Sequence, residues 1–69
     1  MTEQQVKDNL SDDELKLLAK SLYLYGDEGV MDEYFSEFIK FIEPFYKINS
    51  LNVAISIITS EVLRRYSTN

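Results

Sequence analysis

Apolar residues recur at helical spacing between Ser11 and Gly26. At about 100° per residue they form one stripe, which consists of Leu15, Leu18, Ala19, Leu22 and Tyr25. Ser11 and Glu14 fit the S-x-x-E capping box, in which each side chain bonds the backbone N–H of the other residue. Gly26 stands where a left-handed residue typically follows a helix. The pattern therefore predicts a helix over residues 12–25.

The next segment carries ten apolar positions that all fall in one half of the helical wheel. They are Val30, Met31, Tyr34, Phe35, Phe38, Ile39, Phe41, Ile42, Phe45 and Tyr46. Asp27 is a candidate N-cap for this segment. Because proline kinks a helix by removing a hydrogen bond, we expect a helix over 30–47 with a bend near Pro44. The alternative is a break, with Pro44 beginning a separate turn. Phe38 and Phe41 have turns on both sides, and we expect both to be deeply buried.

A third periodic segment follows Asn49 and Ser50, which are both good cap residues. Its main stripe consists of Leu51, Ala54, Ile55, Ile58, Val62 and Tyr66. The segment is rich in β-branched residues, but a single strand would have no partner elsewhere in the chain. We therefore expect a third helix over 51–66.

Three helices joined by short loops predict an all-α fold, a small compact bundle. A chain of 69 residues is long enough for one domain only, which we place at 11–69. Residues 1–10 have few apolar side chains, although Thr2 and Gln5 have the spacing of a weak capping box. A short N-terminal helix and a frayed tail are both open interpretations of this segment.

Two of the predicted helices carry apolar residues away from their main stripe. Leu17 and Leu24 lie almost opposite the first stripe and seven residues apart, a spacing that suits a seam between helices. Val53 and Ile57 project from the third stripe in the same way. Such a helix is either packed between two elements or exposes one face to a partner. We interpret the four residues as a contact surface for self-association or for a partner.

The net charge of −5 is unevenly distributed along the chain. Residues 1–37 hold ten carboxylates against three lysines, a net charge of −7, whereas residues 38–69 have a net charge of +2. The candidate acidic surface consists of Asp27, Glu28, Asp32, Glu33 and Glu37. These side chains form either an ordinary solvated surface or one that steers a basic partner towards the chain.

The composition excludes several kinds of chemistry. The chain has no cysteine and no histidine, so zinc and haem would lack their usual ligands and no Cys–His or Ser–His pair can form. The acidic cluster does not fit the register of a calcium-binding loop, and two glycines are too few for a phosphate-binding loop. We expect no enzymatic activity, no cofactor and no metal site.

The expected function is that of a non-enzymatic protein–protein interaction module, either a small accessory subunit or a regulator. Its expected partners are a second copy of the chain, in a homodimer, or another and basic protein. One alternative is a DNA-binding regulator of the helix-turn-helix type, which the negative charge disfavours. The other is a carrier that holds a small apolar ligand on the aromatic face of the second helix.

The sequence also bears on location. The first residues are polar and lack the pattern of a signal peptide. The longest apolar run, residues 22–25, is far shorter than the ~20 residues that cross a membrane. We expect a cytoplasmic protein without a membrane segment.

Overall fold

The computed structural model describes residues 2–67, which form four helices and no strand. The helices are α1 (Glu3–Asp8), α2 (Asp12–Glu28), α3 (Glu33–Ile42) and α4 (Ser50–Tyr66). The predicted all-α bundle is confirmed. Met1 of the predicted segment 1–10, and residues 68–69 of the predicted domain 11–69, lie outside the described residues.

Local capping sets the starts of the first two helices. The Thr2 hydroxyl accepts a hydrogen bond from the Gln5 backbone N–H at 3.2 Å, and the Gln5 side chain accepts one from the Thr2 N–H at 2.8 Å. Ser11 and Glu14 make the same reciprocal pair at the start of α2. Both capping boxes satisfy backbone donors that a helix leaves unpaired in its first turn. The N-terminal segment is therefore a short helix, one of the two interpretations left open by the sequence.

The end of α2 differs from the prediction. The helix continues through Gly26 to Glu28, and Gly29 is the left-handed residue, with φ 70°. Its N–H donates to the Tyr25 carbonyl at 2.9 Å. The N-cap of α3 is Asp32 rather than Asp27. The left-handed residue is therefore three positions later than the predicted Gly26.

The predicted helix over 30–47 is too long at both ends, and the expected bend near Pro44 is wrong. Helix α3 ends at Ile42, and residues 43–45 form a turn. Pro44 has no N–H with which to continue the helical hydrogen bonds. The backbone N–H groups of Phe45 and Tyr46 instead turn back to the Ile42 carbonyl, at 2.9 and 3.1 Å. The chain breaks at this proline, which was the alternative prediction.

Helix α4 agrees with the predicted helix over 51–66 and begins one residue earlier, at Ser50. It packs against each of the other three helices, and α2 also packs against α3. The core consists of Val6, Leu15, Leu18, Phe35, Phe38, Ile42, Ala54, Ile57 and Ile58. The expected deep burial of Phe38 is confirmed, but Phe41 is 49% exposed. Phe41 was misplaced because α2 and α4 together cover only part of the wide aromatic face of α3.

Candidate functional site

An open groove of about 510 Å³ lies between α1, α2 and α3. Its apolar lining consists of Val6, Leu10, Leu17, Leu18, Tyr34, Phe38 and Phe41, and its polar lining of Asn9, Glu14, Glu33 and Glu37. Leu17, Tyr34 and Phe41 are exposed to solvent, with exposed fractions of 41%, 57% and 49%. The groove therefore combines accessible apolar area with three carboxylates.

The α1 wall of the groove is held in place by Arg65, which lies on α4. The Val6 side chain of α1 is buried in the core. The guanidinium nitrogen Nη2 of Arg65 donates to the backbone carbonyls of Lys7 and Leu10, at 3.1 and 2.8 Å. Arg65 Nη1 donates to the Asp12 carboxylate at 2.9 Å. These bonds fix the junction between α1 and α2, and with it the position of Leu10.

A buried carboxylate orients this arginine. The side chain of Glu61 is 1% exposed and accepts three hydrogen bonds, from Arg64 Nε and Nη2 and from Arg65 Nε, at 2.7–2.8 Å. These bonds, above all the two from Arg64, lower the pKa of Glu61 to about 2 despite its burial. Glu61 is therefore ionised at neutral pH. A buried charge is tolerated when it is paired and fully hydrogen-bonded in this way.

The α3 wall is positioned from α2. One oxygen of Asp32, Oδ1, accepts from the Phe35 backbone N–H at 3.0 Å, and Oδ2 accepts from the Ser21 hydroxyl at 2.6 Å. The Ser21 hydrogen bond is the main cause of a lowered pKa at Asp32. The ring of Tyr25 packs edge-on against Phe35 with their centroids 5.5 Å apart. Together these contacts fix where α3 starts, and so place its groove-lining residues.

The carboxylates of the groove belong to two walls. Glu33 and Glu37 lie one turn apart on α3 and are exposed, with Lys40 Nζ 3.7 Å from Glu37 Oε1. Glu14 lies on α2, where hydrogen bonds with the Ser11 backbone and side chain lower its pKa. An exposed pair such as Glu37 and Lys40 is weak, so the groove keeps an excess of negative charge.

The structure separates the four residues of the predicted contact surface. Leu17 is 41% exposed and lines the groove, whereas Leu24 and Val53 are half-buried and do not line it. Ile57 is fully buried in the core, so its predicted exposure is wrong. The helical wheel assumed one buried stripe on the third helix, but α4 packs against three neighbours and buries more of its circumference.

The predicted acidic surface is divided as well. Glu33 and Glu37 line the groove, and Asp32 is the half-buried N-cap beside it. Asp27 and Glu28 lie in the last turn of α2, exposed and outside the groove lining. Only two of the five predicted acidic residues therefore stand in the groove itself.

Sequence reasoning missed Leu10, Glu14, Tyr34 and Phe41 as members of one site. The available signal was the width of the aromatic face on the second predicted helix, which exceeds what two neighbouring helices need to cover. Glu14 was interpreted only as part of the Ser11–Glu14 capping box. Leu10 lies at the α1–α2 junction, which Arg65 ties to the bundle.

Other kinds of site find little support in the described residues. Within residues 2–67 no group of three or more acidic side chains is arranged to hold a metal ion. None of the helices described there is long and apolar enough to cross a membrane. Arg64 and Arg65 both donate to Glu61, so they are engaged within the chain.

No protein family, curated protein sequence or solved structure matches the chain.

Proposed function

We propose that the chain is a non-enzymatic protein–protein interaction module whose groove binds an apolar segment of a basic partner protein. The observation that carries the proposal is the combination of exposed Leu17, Tyr34 and Phe41 with Glu14, Glu33 and Glu37 in one groove. In the cell, such a module acts as a small accessory subunit or regulator. We propose a cytoplasmic location for it.

The apolar lining supplies the binding free energy. Removing a large apolar side chain from water contributes roughly 1.5–3 kcal/mol, so three half-exposed side chains account for several kcal/mol. Part of this offsets the freedom that the partner loses on binding. The expected complex is therefore of moderate affinity.

The charge determines which partners are favoured. Residues 1–37 carry a net charge of −7, and three of their carboxylates line the groove. A field of this sign accelerates the approach of a basic protein and slows that of an acidic one. Nucleic acid is disfavoured for the same reason.

A carrier of a small apolar ligand is the second candidate function. The groove volume of about 510 Å³ lies within the range of small-molecule sites, which is about 300–1,000 Å³. Its carboxylates favour a ligand that also carries a positive charge. We rank this function second because Leu17, Tyr34 and Phe41 in the groove lining are exposed to solvent, whereas carrier sites bury most of their ligand.

Titration of the ¹⁵N-labelled chain with a synthetic peptide of leucine and lysine tests the proposed function. Resonances of residues that line the groove should shift, and added salt should slow association because exposed charges are screened beyond about 8 Å at physiological ionic strength. The Leu17→Glu and Phe41→Glu variants should lose binding. Leu63→Glu is the matched control, since Leu63 is exposed on α4 and does not line the groove. Equal loss in all three variants would contradict the proposal.

Sedimentation of the chain alone tests the homodimer. If a second copy occupies the groove, the wild type should dimerise at high concentration and Leu17→Glu should be monomeric. A monomeric wild type that binds the peptide would leave a different protein as the partner.

A further inference from the structure

We propose that the partner segment is an amphipathic α-helix whose apolar stripe has lysine or arginine on both sides. This inference rests on the proposed function and specifies the occupant of the same groove. It follows from the shape of the walls, from their hydrogen-bonding capacity and from the positions of the carboxylates.

The α2 and α3 walls have the shape of helical ridges. The lining residues of α3 fall at positions 33, 34, 37, 38 and 41, and those of α2 at positions 14, 17 and 18. Side chains three and four residues apart form the ridges between which another helix packs. From residue 33 to residue 41 the helix rises by eight steps of about 1.5 Å, or about 12 Å, so the α3 ridge matches a little over two turns of a partner helix.

The walls offer no backbone pairing to an extended peptide. Residues 2–67 contain no strand whose edge could accept one. An extended segment buried against leucine and phenylalanine would leave backbone N–H and C=O groups unpaired, which is costly. A helix satisfies these groups internally and presents only side chains to the groove.

The carboxylates define the flanks of that helix. Glu33 and Glu37 stand one turn apart on the α3 wall, and Glu14 stands on the α2 wall. Basic residues four apart on one flank of a partner helix match the spacing of Glu33 and Glu37. A basic residue on the opposite flank would approach Glu14. The charge pattern therefore selects a helix that is basic on both sides of its apolar stripe.

Three peptides of equal length test the helix. In the first, leucines recur at positions i, i+3, i+4 and i+7 with lysines beside them. The second has the same composition in an order that places the leucines on all sides, and the third replaces lysine with glutamate. We expect the first to gain helical circular dichroism on binding and to bind about tenfold more tightly than the second. The third should not bind.

Paired charge variants test the flanks. Glu33→Gln with Glu37→Gln should weaken the first peptide roughly five- to tenfold, since it removes two exposed ion pairs, each of which is weak. Asp27→Asn with Glu28→Gln is the matched control. It removes the same charge from exposed residues outside the groove lining, and it should change the affinity less than twofold.

The outcomes separate this inference from the proposed function. Equal binding of the first two peptides at the groove would overturn the helix and leave the interaction module standing. If the two charge variants weaken binding equally, the inferred pairing of basic residues with Glu33 and Glu37 is wrong. If neither lysine peptide shifts any resonance of the groove, the proposed function fails together with its occupant.

Discussion

Arg65 on α4 donates from Nε to the buried carboxylate of Glu61, one turn earlier, at 2.8 Å. The other end of the same guanidinium bonds the Lys7 and Leu10 carbonyls and the Asp12 carboxylate. One charge pair on α4 thereby fixes the junction between α1 and α2. Because Leu10 lines the groove, the geometry of the candidate site depends on a pair outside it.

Arg65→Met should lower the free energy of unfolding by about 3 kcal/mol. Breaking a buried ion pair costs about 3–5 kcal/mol, and Glu61 keeps Arg64 as a partner, so the low end applies. Arg64→Met is the matched control. The Arg64 side chain is 61% exposed but donates two of the three hydrogen bonds to Glu61, so its loss should cost roughly 1–2 kcal/mol, less than that of Arg65. Urea denaturation of both variants measures the difference, and equal costs would show that Arg65 does not link the helices.

The same carboxylate predicts how stability depends on pH. The hydrogen bonds to Glu61 lower its pKa from 4.5 to about 2 in the folded chain, so folding favours the ionised form. The stabilisation is complete above pH 4.5 and is lost as the pH falls through about 2. Melting temperatures measured between pH 6 and pH 2 should therefore fall. In Glu61→Gln the melting temperature should fall less over the same pH range. Part of the fall should remain, because the pKa values of Glu14 and Asp32 are also lowered. An identical pH profile in wild type and variant would contradict this role of Glu61.

The two glycines of the α2 end should respond with opposite signs. Gly26 lies within the helix with nothing within 4 Å of an added Cβ, whereas Gly29 has φ +70°. Gly26→Ala should stabilise the chain by about 0.5 kcal/mol, since glycine is a poor helix residue. Gly29→Ala should destabilise it by about 1 kcal/mol, since a side chain disfavours the left-handed region. Thermal unfolding of the two variants checks the signs, and the reverse order would restore Gly26 as the helix end.

The sequence predicted those features whose determinants are local. The Ser11–Glu14 capping box is complete within four residues, and its prediction is confirmed. The start of α3 depends on the hydrogen bond between Asp32 and Ser21, which lies 11 residues earlier in the chain. No local pattern distinguishes Asp32 from Asp27 as the cap. The end of α2 was wrong for the same reason, since it depends on where α3 begins.

The groove was only partly predictable because it arises from packing between helices. Leu17 was recognised as lying off the main stripe, and the structure places it in the groove. Leu10 joins it through the orientation of α1, and Phe41 joins it because α2 and α4 cover only part of the aromatic face of α3. Ile57 had the same sequence signature as Leu17, yet α4 packs against three helices and buries it. Periodicity identifies a second apolar face, but the number of neighbours decides whether that face is covered.

Ile57 and Leu17 should therefore behave as opposites when each is shortened to alanine. Ile57 is fully buried, and Ile57→Ala should cost about 2–5 kcal/mol, as for other large residues shortened in a core. A loss of this size approaches the whole ~3–5 kcal/mol that a single core of this length typically supplies. Leu17 is 41% exposed, and Leu17→Ala should change stability by less than about 1 kcal/mol, because alanine suits a helix and little packing is lost.

Peptide binding should be weakened by Leu17→Ala and unchanged by Ile57→Ala, the reverse of their effects on stability. Leu17→Ala should bind the leucine–lysine peptide more weakly at full helical content, because it removes apolar area from the groove. The folded fraction of Ile57→Ala should keep the wild-type affinity. The measurement is made at low temperature, where this destabilised variant is folded. Urea denaturation gives the free energy of unfolding of each variant, and peptide titration gives its affinity. If Leu17→Ala unfolds the chain and Ile57→Ala impairs binding, then Leu17 belongs to the core and Ile57 to the contact surface, as its sequence spacing first suggested.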